Sequence, residues 1–279
     1  MEKIINKNDV KIWTESFGDE NNPVILLIAG AHAPSTFWPD FFCEKLADAG
    51  YFIIRYDHRD IGYSTHFPVT KDLNKPVYTL ADLAEDALNI LDDYNIHKAH
   101  FIGHSMGGAI VQYLSVKHPN RILNAISISV NIGEQILEHP KYKATMQELL
   151  KNKPTGNFKK DWAGWLNSWK LLHGDIPIDE QMAKNYTQSI YNRHQGDFNP
   201  AWNHIAAGMT KPNLSQELPD DLLLIHGEED ILAPVDEIKA LKNKFNVIIL
   251  PEVGHVFFNK TIWEQIAECI LNFLDSSYR

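Results

Sequence analysis

Short uninterrupted apolar runs alternate along this chain with longer stretches in which apolar residues recur every third or fourth position, a rhythm that predicts strands alternating with helices. Residues 4–5 and 10–17 predict a hairpin at a sheet edge. Residues 24–29, 51–56, 99–103, 122–130, 222–226 and 246–250 predict six further strands, and the wholly apolar run 24–29 reads as a central one, covered on both faces. Helical spacing marks 38–49, 80–94, 105–118, 235–244 and 262–274. In 80–94 the spaced residues are Leu80, Leu83, Ala84, Ala87, Leu88 and Leu91. Thr79 with Asp82 fits a capping box there, with aspartate in place of the usual glutamate. Thr261 with Glu264 predicts a second box before the last helix, and Pro119 ends the helix over 105–118.

From residue 134 to 211 the alternation stops, and the stretch holds helical patterns and four of the seven tryptophans, Trp162, Trp165, Trp169 and Trp202. The whole predicts an α/β architecture, a mostly parallel eight-stranded sheet flanked by helices. The core is expected from residues 1–133 and 212–279, with 134–211 inserted as a helical cap.

Composition narrows the function classes. The 279 residues carry a formal net charge of −10 and no basic run, which argues against a nucleic-acid partner. No stretch approaches the 18 or more apolar residues of a membrane span, and the first residues lack the apolar core of a secretory signal. Cys43 and Cys269, far apart and each inside a helical pattern, read as buried free thiols rather than a disulfide framework. A cytoplasmic protein is expected.

The sharpest local feature is Gly103-His104-Ser105-Met106-Gly107-Gly108, directly behind one strand pattern and ahead of a helical one. Alone, a Gly-x-Ser-x-Gly stretch is weak. In this setting it reads as a tight strand-to-helix turn that lifts the Ser105 hydroxyl clear of the backbone, with glycines where a Cβ would collide. A serine hydroxyl is a poor nucleophile at neutral pH, so it needs a base and an acid to orient that base. The chain supplies candidates in the order Ser105, Asp230, His255, the last two just past the ends of strands 222–226 and 246–250. For the base, His97, His100, His118 and His139 fall at strand starts or helix ends, and His226 reads as packed. For the acid, Glu228, Glu229, Asp57, Asp60 and Asp236 are rivals, as is the position after strand 122–130, Asn131 or Glu134. The oxyanion of a tetrahedral intermediate needs two N–H donors, here expected from Met106 and from Ala31 in the loop after 24–29, with His32 next.

These residues together resemble the serine-nucleophile branch of the α/β-hydrolase superfamily, from about Val10 to the C-terminus. Asp57-His58-Arg59-Asp60-Ile61-Gly62-Tyr63-Ser64 looks like the Asp-x-Arg-x-x-Gly-x-Ser turn that follows the fourth strand there. Trp38-Pro39-Asp40-Phe41-Phe42, Leu46-Ala47-Asp48-Ala49-Gly50 and Gly227-Glu228-Glu229-Asp230 are similar to the aclacinomycin methylesterase family and related carboxylesterases. The resemblance implies Ser105, Asp230 and His255 as a catalytic triad acting on an ester. One departure is Ala29-Gly30, where many relatives have His-Gly.

The expected ligand is a small, largely apolar ester, enclosed in a pocket to which His32, His104, Trp162, Trp165 and Trp169 are candidates, although tryptophans at helical spacing also fit a packed face. No metal-ligand spacing and no Gly-x-Gly-x-x-Gly accompany them, so neither metal nor organic cofactor is expected. Two rival functions use the same residues: a cofactor-free perhydrolase or carbon–carbon bond hydrolase, and a small-molecule receptor or inactive scaffold.

Overall fold

The computed structural model describes residues 1–132, 140–194 and 201–277. In chain order the elements are β1 (Glu2–Lys7), β2 (Val10–Phe17), β3 (Val24–Ile28), α1 (Asp40–Asp48), β4 (Phe52–Tyr56), α2 (Leu80–Asp93), β5 (Ala99–His104), α3 (Met106–Lys117) and β6 (Ile122–Ile128). Four helices follow, α4 (Pro140–Leu149), α5 (Phe158–His173), α6 (Glu180–His194) and α7 (Ala201–Gly208), and then β7 (Leu223–Gly227), α8 (Val235–Lys239), β8 (Asn246–Leu250) and α9 (Lys260–Ser277).

The strands form one eight-stranded sheet in the order β1-β2-β4-β3-β5-β6-β7-β8. β1 and β2 pair antiparallel, β2 joins β4 antiparallel, and every pairing from β4 to β8 is parallel. The apolar run of β3 is buried throughout because each face of the sheet has its own helical layer. Leu26 and Ile28 pack with Leu83, Leu91 and Ile110 of α2 and α3, while Ile25 and Leu27 pack with Phe42, Leu46 and Ile266 of α1 and α9. After β4 the chain passes over β3 to lay down β5 and then builds outward. The strand order therefore reverses between β3 and β5, and the loops above that point open a crevice.

Local signals explain most element boundaries. The Thr79 cap forms: Asp82 N–H donates to its hydroxyl at 3.3 Å, and Thr79 N–H donates back to the Asp82 carboxylate at 2.7 Å. Two expectations fail. The last helix begins at Lys260, with Asn259 Oδ1 accepting from Thr261 N–H at 3.0 Å, so Thr261 lies inside the first turn and its expected box is displaced by an asparagine two residues earlier. The helix expected over 235–244 ends at Lys239, and residues 241–244 are turns. Of the thiols, Cys43 is buried and Cys269 only partly so.

Helices α4–α7 lie between β6 and β7 in sequence, in the stretch where the alternation was expected to stop. The expected boundary near residue 133, and the rival acid Glu134, lie outside the described residues. No helix among the described residues is long and apolar enough to cross a membrane.

Candidate active site

Ser105 stands between β5 and α3 at φ 53° and ψ −118°, a conformation sparsely populated by residues with a Cβ. Its neighbours explain how the turn is held. A Cβ on Gly103 would sit 2.1 Å from Gly107 O, and one on Gly107 would sit 2.1 Å from Ile28 O, so α3 crosses β5 and β3 at a distance only glycine allows. Ser105 N–H donates to Ile128 O at 2.8 Å, which ties the turn to β6.

The side chains separated by 150 and 25 positions in sequence meet here. Ser105 Oγ lies 3.0 Å from His255 Nε2, and His255 Nδ1 lies 3.0 and 2.9 Å from the two oxygens of Asp230. Asp230 is buried at the end of β7 and accepts from Leu232 N–H at 2.9 Å and Ala233 N–H at 2.8 Å. Burial by itself would raise its carboxyl. The charge and hydrogen bond of His255, with His226 and Ala233 N–H, hold it below the usual carboxylate range instead. An ionised carboxylate only accepts, so His255 Nδ1 must carry the proton and Nε2 is left as the acceptor for the serine hydroxyl.

The loop bearing His255 is fixed from two sides. Gly254 N–H and His255 N–H donate to His173 O and Leu172 O, at 2.8 and 2.6 Å, at the end of α5. His104, beside the serine, pairs through Nε2 with His255 O at 2.8 Å, and its ring packs 4.4 Å from Phe37. Burial, with His255 adding to it, pushes His104 down to about 3, so it is a neutral strut.

The rival acids are engaged elsewhere or lie outward. Asp57 accepts from Arg193 of α6 at 2.8 Å, and Asp60 accepts from Tyr78 at 2.6 Å and Asn203 at 2.8 Å. Glu228 pairs with Lys239 at the surface, Glu229 is exposed, and Asp236 lies in the first turn of α8. His226 is packed as expected, its Nε2 paired with Ala233 O. His100, near the start of β5, is buried against Tyr51.

Ala31 and His32 follow β3, and the loop runs directly against the serine: a Cβ on Gly30 would lie 3.2 Å from Ser105 Cβ. His32 adopts φ 65°, and its N–H donates to His204 Nδ1 of α7 at 3.1 Å. Met106 N–H opens α3, where helix geometry leaves the first amides without an intrahelical acceptor.

A cavity of about 730 Å³ opens beside Ser105 and His255, walled chiefly by apolar side chains of α4–α7 and by the loops above β3 and β6. His32, His104, Trp165 and Trp169 line it. The two indoles stack at 5.1 Å, anchored by Trp165 Nε1 to Tyr191 and Trp169 Nε1 to Thr187. Trp162 does not line it. Its ring lies 6.0 Å from that of Phe158, one turn earlier on α5, and it packs in the same apolar cluster as Trp165 and Trp169, toward the start of the helix. The sequence reading missed Lys211, Asn131 as a wall residue, and His204. No local motif marks them: His204 and Lys211 reach the cavity from α7 and the residues just after it, and Asn131 from just past the end of β6. No group of three or more His, Cys, Asp or Glu side chains among the described residues is arranged to hold a metal ion.

With an eight-stranded, mostly parallel sheet and these loops at its strand ends, the chain belongs to the α/β-hydrolase fold family, whose model matches residues 22–259. Among curated proteins it is 36% identical to rhodomycin D methylesterase DnrP of Streptomyces peucetius over 280 residues, covering 91% of each chain. It is 28% identical to rhodomycin D methylesterase DauP of Streptomyces sp. (strain C5) over 283 residues, again 91% of each. Among solved structures, a hydrolase from Pseudomonas aeruginosa PA01 superposes with a TM-score of 0.75 at 20% identity, covering 98% of both chains, which shows the shared fold.

Proposed function

We propose that this protein is a serine carboxylic-ester hydrolase working through an acyl-enzyme. The observation that carries the reading is the hydrogen-bonded line from Ser105 Oγ through His255 to Asp230 at the wall of an apolar cavity. His255 Nε2 takes the hydroxyl proton as Ser105 attacks the acyl carbon, and Asp230 steadies the imidazolium through Nδ1–H. The oxyanion is held by the amides of Met106 and Ala31. Because His32 N–H already serves His204, Ala31 is the donor assigned to that loop. His255 then returns the proton to the departing alcohol, and water, activated the same way, releases the acid.

The substrate on this reading is a small, largely apolar ester, with Trp165 and Trp169 against its body and α4–α7 acting as the cap over 134–211. The Streptomyces relatives, named as methylesterases, support ester chemistry and make a methyl ester the first leaving group to try. The free thiols fit a reducing cytoplasm. The test is Ser105→Ala. Turnover of a methyl-ester panel should fall by about 10⁴-fold or more and labelling by a fluorophosphonate should disappear, whereas a fully active variant would overturn the proposal. Peracid formation or diketone cleavage far exceeding ester turnover in the unaltered enzyme would transfer the same residues to another reaction.

A further inference from the structure

Among the described residues that line the cavity, Lys211 is the one Lys, Arg, Asp or Glu. It follows α7, and its ammonium reaches across to donate to Asn131 O, just past β6, at 2.8 Å. That is the side chain's one hydrogen bond among the described residues, although an ammonium has three donors. Among the described residues its surroundings are poor in compensation. Burial lowers Lys211 to about 8, and the carboxylate that opposes this is Glu237 of α8, which acts electrostatically and does not line the cavity. The same corner holds two buried polar atoms without partners, Asn131 Oδ1 and Ser129 Oγ, on residues that also line the cavity. A half-buried cation with spare donors disfavours an empty apolar pocket, and a structural role would be met better by a full ion pair.

We propose that Lys211 selects the substrate: the ester's apolar body carries, away from the scissile bond, an anionic oxygen that the ammonium receives. This deepens the esterase reading and rests on it. The chemical class is an ester bearing a second acidic group, a carboxylate or an acidic phenol.

The experiment uses the full chain and monomethyl esters of straight-chain dicarboxylic acids of increasing length, each beside the uncharged methyl ester of the same length. At one length the charged ester should show a KM at least about tenfold below its neutral partner. Lys211→Met should erase that difference, and Lys211→Arg should retain most of it. Equal KM values at every length, or a preference that survives Lys211→Met, would overturn the proposal. To separate it from the esterase reading, the dicarboxylic half-esters and neutral esters are also titrated against Ser105→Ala by tryptophan fluorescence. Anion-selective binding lost in Ser105→Ala with Lys211→Met supports the role of Lys211 even where no ester is cleaved, and binding without charge preference refutes it.

Discussion

Asp230 shows how burial and pairing compete on one side chain. Its carboxylate is out of contact with water yet ionised, since three hydrogen-bond donors converge on it from His255, Leu232 and Ala233. Asp230→Asn would keep the shape but can donate, so it would favour the wrong tautomer of His255. kcat/KM near neutrality is expected to drop about 10³–10⁴-fold with KM little changed, measured on any ester the enzyme accepts. A variant within tenfold of the parent would remove Asp230 from the proposed relay. This position was legible in sequence because strand ends are legible: an apolar run followed by Gly227-Glu228-Glu229-Asp230 locates the loop. Choosing among three adjacent acids was not a matter of pattern. Glu228 and Glu229 point to the surface, and only the turn after Gly227 decides which carboxylate goes inward.

Helix α6 is tied to the sheet by Arg193. Its guanidinium donates to the buried Asp57 and lies 4.2 Å from the Trp13 ring and 4.8 Å from the Tyr63 ring. Asp57 also accepts from Ser35 N–H and Tyr63 N–H, so one carboxylate joins α6 to two loops of the sheet. Arg193→Ala strands that charge, and urea unfolding is expected to register a loss of about 3 kcal/mol. A loss below about 0.5 kcal/mol would mean that α6 is held by apolar packing alone. The strands and the helices flanking the sheet could be read from periodicity because each buries its own face. The connections of α6 and α7 could not: Arg193 with Asp57 spans 136 positions and His204 with His32 spans 172, and nothing local encodes either pairing. Trp162 illustrates the same limit, since spacing puts it on α5 without telling which tryptophans face the cavity.

Taken as a whole, the molecule keeps several imidazoles neutral. Burial is the leading cause at His58 and His100, each lowered to about 4, at His104, lowered to about 3, and at His226. In the unfolded chain these groups titrate near 6.5, so below that pH the unfolded state takes up protons that the folded state refuses. Stability is therefore whole above about pH 6.5 and declines as pH falls toward 4. Asp230, held below its unfolded value, adds a further loss in the carboxylate range. The melting temperature is expected to be clearly lower at pH 5.0 than at pH 7.5, and an equal or higher value at pH 5.0 would contradict this account. One last consequence follows from the chain order. The serine sits at the end of β5, whereas its partners hang from β7 and β8, the last two strands to be made and the outermost on their side. On the proposed reading, a nascent chain carries an inert hydroxyl until synthesis is nearly finished and that edge has docked. Regain of hydrolysis during refolding would then time the arrival of the far margin of the sheet.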